Sequence, residues 1–126
     1  MKTPAQTLSS GDVFSQACPS RQALELIGSK WALLIIPALA AGPVRNNELL
    51  CKIEGVSQKM LTQTLKDLVR NGLVERRDYR LVPPHVEYQL SPLGKSLSKV
   101  LVPLDRWAEQ HHEALQLARN DFDAGA

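Results

Sequence analysis

The sequence predicts a mainly α-helical domain carrying one small β-hairpin, and three observations predict it. Apolar residues recur at helical spacing over most of the chain. Residues 73–79 and 85–90 are instead β-prone, and in the second run Val86, Tyr88 and Leu90 alternate with Glu87 and Gln89, the period-two mark of a strand with one buried face. The chain has 126 residues, enough for one modest core and no second domain.

The elements follow in order. Residues 1–15 are small and polar and are expected to form a flexible arm. Pro19 at a first-turn position predicts a helix over residues 20–27 that Gly28 ends. Residues 30–41 continue the apolar pattern through Trp31, Leu33, Leu34, Ile35 and Leu39, and Pro37 is expected to bend that helix. Gly42-Pro43 makes a turn, and residues 46–53 form the next helix. Gly55 supplies a tight interhelical turn, Ser57 caps the following helix, and Asn71-Gly72 gives it a left-handed stop. Met60, Leu61, Thr64, Leu65, Leu68 and Val69 mark its inner side. Pro83 and Pro84 sit at the hairpin tip. From Ser91, a cap before Pro92, an apolar stripe runs through Leu93, Leu97, Val100, Leu101, Leu104, Trp107, Leu115 and Leu117, with a break expected at Pro103. Residues 119–126 are expected to be a flexible acidic tail, which leaves residues 16–118 as the folded domain.

The outer side of the capped helix presents Ser57, Gln58, Lys59, Thr62, Gln63, Lys66 and Arg70, long or hydroxylic groups suited to probing base edges and phosphates. Taken alone, a solvated amphipathic helix explains this face as well. The hairpin behind it decides, because Arg76, Arg77, Arg80 and His85 cluster around the tip, where donors can follow a phosphate backbone or enter a minor groove. Arg80 and His85, nearest the tip, carry that expectation. A helix pair followed by a basic hairpin is a winged helix-turn-helix, and its expected partner is double-stranded DNA.

Charge supports the same division. The formal net charge is only +2, but residues 57–90 hold six Lys and Arg against four carboxylates, whereas after Leu104 five carboxylates outweigh two arginines. The acidic end is therefore expected to face away from DNA. Its apolar stripe has no core left to cover, and a second copy of the chain is its expected cover, a two-fold arrangement that matches inverted-repeat DNA. Packing back on its own core is the alternative. No segment reaches the roughly 20 apolar residues of a membrane span. The first 16 residues lack a signal-type apolar region, which predicts a cytoplasmic protein with reduced cysteines.

Enzyme chemistry finds no support in the pattern. His111 and His112 are sequence neighbours pointing to different sides, without cysteine or carboxylate at zinc-ligand spacing, and no phosphate loop or nucleophile–base pair is present. No metal or cofactor is expected. Cys18 precedes a helix beginning Pro19-Ser20, where unpaired N–H groups, the helix dipole and the adjacent Arg21 favour thiolate. A small buried residue is the other reading of Cys18. Cys51 is read as packing.

Four groups of residues resemble a known family: Cys18-Pro19, Ile27-Gly28-Ser29-Lys30-Trp31, residues 53–61 with the S-Q-K-M-L-T run from Ser57, and the PP, VEY and S-P-L-G groups that follow from Pro83. Over about four fifths of its length the chain resembles the HxlR-type, MarR-related winged-helix transcription regulators. The resemblance implies a dimeric, sequence-specific DNA-binding regulator, with repression the expected sense, dimerising through N- and C-terminal helices. On the reading of the residues themselves, Gln58, Lys59, Thr62 and Gln63 are expected to meet base edges, Ser57, Arg45 and Lys66 to meet phosphates, and Arg80 and His85 to serve the wing. The resemblance also implies that Cys18 senses electrophiles, quinones, aldehydes or oxidants. A regulator with a non-covalent effector or none, or a winged helix that binds protein, are the alternatives. One departure stands out: Arg45-Asn46-Asn47-Glu48 replaces the family's Arg-Phe before Glu-Leu, so the resemblance does not supply the packing of that helix.

Overall fold

A computed structural model describes residues 11–125. Within them the order is α1 (Pro19–Ile27), α2 (Ala32–Ala38), β1 (Val44–Arg45), α3 (Asn46–Lys52), α4 (Gln58–Arg70), β2 (Val74–Asp78), β3 (Val86–Leu90), α5 (Pro92–Gln110) and α6 (His112–Gly125). The strands form an antiparallel sheet in the order β1-β3-β2. This is a winged helix-turn-helix, as the residue pattern predicts. The short strand β1 was not expected; two residues are too few for an alternation to register, and it exists because Val44 and Arg45 pair with Tyr88 and Glu87.

The core is built around α2, whose Ala32, Ile35 and Ile36 are fully buried, and it takes Leu49 from α3, Leu61, Leu65 and Leu68 from α4, Val74 and Leu90 from the sheet, and Leu101 from α5. Leu49 answers the departure at Asn46-Asn47, since one buried leucine two residues later still anchors α3. Pro37 lies in the last turn of α2, which is shorter than the expected span of residues 30–41. The helix ends at Ala38; the Leu39 amide is shared between the Ile35 and Ile36 carbonyls, and the amides of Ala40 and Gly42 then reach back three residues, to Pro37 and Leu39, a tightened exit.

Pro103 breaks nothing. It lies on the exposed side of α5, where the Lys99 carbonyl deprived of its partner can bond water, and the helix runs on to Gln110. The interruption falls instead at His111, between α5 and α6. Residues 119–125, expected as a loose tail, continue α6 to Gly125. Of the expected N-terminal arm, residues 1–10 lie outside the described residues, while residues 11–15 turn back on α1.

Two junctions set the reading helix. Gly55 has φ +88° and Gly72 φ +75°, the left-handed region that glycine enters without strain. After Gly72 the amides of Gly72 and Leu73 bond to Val69 and Leu68, a Schellman stop. Ser91 then ties α4, the sheet and α5 together: its hydroxyl donates to the Gly72 carbonyl at 2.6 Å and accepts the Gly94 amide at 3.0 Å, while its own amide donates to Leu73. A Cβ on Gly94 would collide with the Leu73 carbonyl, which explains the S-P-L-G run physically.

Candidate DNA interface and sensor cysteine

Ser57 starts α4 as expected, its Oγ accepting the Met60 amide at 3.1 Å. The inner stripe is narrower than the periodicity suggests. Leu61, Thr64, Leu65 and Leu68 are buried, but Met60 and Val69 lie on the flanks and are exposed. On the outer side Ser57, Gln58, Lys59, Thr62, Gln63 and Lys66 are all exposed. Two bonds order this face one turn apart, Gln58 Nε2 to Thr62 Oγ1 at 2.9 Å and Gln63 Nε2 to Asp67 Oδ1 at 3.2 Å. The ion pairs of the described residues leave Lys59, Lys66, Arg70 and Arg80 unengaged.

The wing divides its charges by face. Glu75, Arg77, Glu87 and Gln89 lie on the outer face in register, where Gln89 bonds Glu75 at 3.0 Å. Tyr79 Oη and His85 Nε2 both bond the Glu87 carboxylate, at 2.9 and 3.1 Å, and the His85 ring packs edge-on against Tyr79. These bonds, the His85 one foremost, hold the Glu87 carboxyl below the usual range. His85 is thus half-buried, and through the bond of its Nε2 to a carboxylate it braces the wing that carries Arg80. Arg80 does stand at the tip, exposed and with φ +54°, its amide held by Asp78 Oδ1 at 2.8 Å. Arg45 is exposed at the base of the wing. One guanidinium nitrogen donates to the Pro84 carbonyl at 3.4 Å, and its amide donates to Glu48 Oε1 at 3.2 Å. Arg45 therefore links the start of α3 to the hairpin loop.

At the other end of the molecule Cys18 occupies the N-cap of α1 and is partly exposed. Its Sγ accepts the Asp12 amide at 3.2 Å. The thiol is pushed below its ordinary pKa, first by the Ser20 hydroxyl and then by the Ser20 amide; burial opposes them, and the amides of Asp12 and Arg21 add smaller lowering effects. The Arg21 guanidinium takes no part; it reaches Glu25 at 3.6 Å and the Phe14 carbonyl at 3.4 Å. Ser20 and the segment around Asp12 were not singled out from sequence. A serine two residues after a helix-capping cysteine is the signal that was there to find. Cys51 is corrected outright: it is exposed near the end of α3 rather than packed inside.

The reading head so described matches the HxlR-like helix-turn-helix family model over residues 26–116. The chain belongs to the HxlR-like helix-turn-helix family. It is 45% identical over 105 residues to the uncharacterized HTH-type transcriptional regulator YtfH of Escherichia coli strain K12, covering 83% of each chain. Among solved structures it is similar to the transcriptional regulator ytfH of Salmonella typhimurium, with TM-score 0.82, 40% identity, and 88% of this chain and 99% of that one covered. It is also similar to HypR, a redox regulator, in its reduced form, with TM-score 0.71, 33% identity, and 78% and 97% covered. The chain is accordingly a DNA-binding transcriptional regulator of HxlR type. The family match begins after Cys18, so it bears on the reading head and not on the cysteine. No described helix is long and apolar enough to cross a membrane.

Proposed function

We propose that the chain acts as a homodimeric repressor that binds an inverted-repeat operator, with α4 of each copy in a major groove and the wings alongside. The observation that carries this is the exposed outer face of α4, rigidly capped by Ser57, carrying Lys59, Lys66 and Arg70 without a carboxylate partner. Gln58, Lys59, Thr62 and Gln63 meet base edges; Ser57, Arg45 and Lys66 meet phosphates; Arg80 serves the wing. The effector is an electrophile or oxidant that modifies Cys18. The lowered pKa of its thiol and the similarity to HypR support this.

Selection of bound fragments from random or genomic DNA tests the reading, followed by anisotropy titration of the selected duplex across a salt series. Recovery of an inverted repeat whose half-site centres lie about 34 Å or a multiple apart is the expected result. Binding that ignores salt would point to a protein-binding winged helix instead. Diamide or quinone should change operator affinity in wild type and in Cys51→Ser, and leave Cys18→Ser unaffected. Sensitivity that follows Cys51, the more exposed thiol, would move the sensor to the reading head.

A further inference from the structure

We propose that the cleft between α4 and the inner face of the wing holds one DNA phosphate, and that Arg76 and Tyr88 complete its binding site. The inference rests on the DNA-binding reading above and deepens it. Strand register places Val74 opposite Leu90 and Arg76 opposite Tyr88. Val74 and Leu90 are buried against the core, so the next pair along that face, Arg76 and Tyr88, emerges beside α4. There they line a cleft of about 240 Å³ with Thr62, Lys66 and Val69. The cleft is open to solvent at one side and large enough for a phosphodiester group.

Its chemistry is that of an anion site. Lys66 and Arg76 supply two positive charges from two different elements, and the Arg76 guanidinium offers a planar set of donors that fits a phosphate. Tyr88 adds a hydroxyl, while Thr62, which meets a base edge in the reading above, lines the cleft wall. Arg76 has a carboxylate neighbour, Asp78, but at 3.9 Å with both side chains about half exposed that pair is weak and is exchanged at little cost for a phosphate. Arg77 offers the contrast. It is one residue away, yet it points to the outer face, opposite Glu87 and over the Tyr79 ring. A backbone that leaves the groove read by α4 must pass the wing, and this cleft lies between the two.

Two measurements on the full chain with its selected operator test the assignment. Arg76→Gln should weaken binding about tenfold, as loss of a charged hydrogen bond would, and lower the slope of log K against log salt by about 0.9, while Arg77→Gln changes neither. Tyr88→Phe should weaken binding several-fold without altering the slope. A scan of single methylphosphonates along the operator should then find one phosphate per half-site whose neutralisation costs wild type about tenfold and costs Arg76→Gln clearly less, since only Lys66 still holds it. Equal effects of Arg76→Gln and Arg77→Gln, or an Arg76→Gln protein as sensitive as wild type at every phosphate, would overturn the cleft while leaving DNA binding intact. A wild-type protein that forms no salt-dependent complex would overturn both. Arg76 is half exposed, and an unchanged thermal midpoint confirms that the variant is folded.

Discussion

Leu65 in α4 and Trp107 in α5 both belong to helical apolar stripes, yet Leu65 is 1% exposed and Trp107 50%. The contrast extends to whole regions. In the middle of the chain α2, α4 and the sheet close on one core. At the ends, α1 and α6 bury no residue at all, and Leu24, Val100, Leu104, Leu115, Leu117 and Phe122 stay exposed. One stripe is satisfied within the chain; the other gives Leu101 and Leu97 to the same core and leaves the rest exposed. Exposed apolar side chains on this scale suit an interaction surface, which the proposed dimer would cover.

The largest effect should come from breaking the second kind of stripe. Leu104→Glu with Trp107→Glu puts charges where the proposed interface is, and the protein should sediment as a monomer at micromolar concentration. Its operator affinity should fall by about a hundredfold or more, because two half-sites would no longer be bound as one unit. The helical content of the reading head should not change. A double variant that stays dimeric and binds normally would mean that these residues pack elsewhere.

The first kind of stripe should respond differently. Leu65→Ala empties a fully enclosed site and should cost about 2 to 5 kcal/mol of stability. Its thermal midpoint should drop by the same amount at every protein concentration. The wild-type midpoint itself should rise with concentration if folding and dimerisation are linked. The Ser57→Ala change is smaller, since it removes one cap bond, and should cost about 1 kcal/mol while weakening operator binding modestly. A Ser57→Ala protein as stable as wild type would mean that the cap contributes nothing to the placement of α4.

How much of this was legible depends on the range of the forces involved. The cap at Ser57, the stop at Gly72 and the strand alternation from Val86 to Leu90 are local, and local residues specify them. Pro103 misled because its effect depends on which side of α5 meets water, a tertiary fact. Cys51 misled for the same reason: its neighbours Leu50 and Lys52 do not say which way the helix turns. The bracing bond of His85 was not legible, because it takes the folded hairpin to bring Tyr79 and Glu87 to its ring. Arg76 and Arg77 were alike in sequence and became distinct only when strand pairing assigned them to opposite faces.

The smallest effect separates the terminal region's chemistry from its packing. Cys18 sits at the start of α1, a helix that buries no residue fully, and the Ser20 hydroxyl is the largest of the influences that lower the pKa of its thiol. Ser20→Ala removes that donor without touching an apolar residue. Dimerisation and thermal stability should therefore be unchanged. The rate of iodoacetamide alkylation against pH should have its midpoint below the ordinary value of about 8.5 in wild type, and Ser20→Ala should move it back upward. The direction follows from charge: a donor to sulfur stabilises the thiolate, so its loss favours the thiol and raises the pKa. The amides of Ser20, Asp12 and Arg21 remain in place, and the return should be partial. An unchanged midpoint in Ser20→Ala would assign the shift to the helix end alone. A wild-type midpoint at the free-cysteine value would remove the physical case for Cys18 as a sensor, while the reading head and the proposed dimer would stand as before.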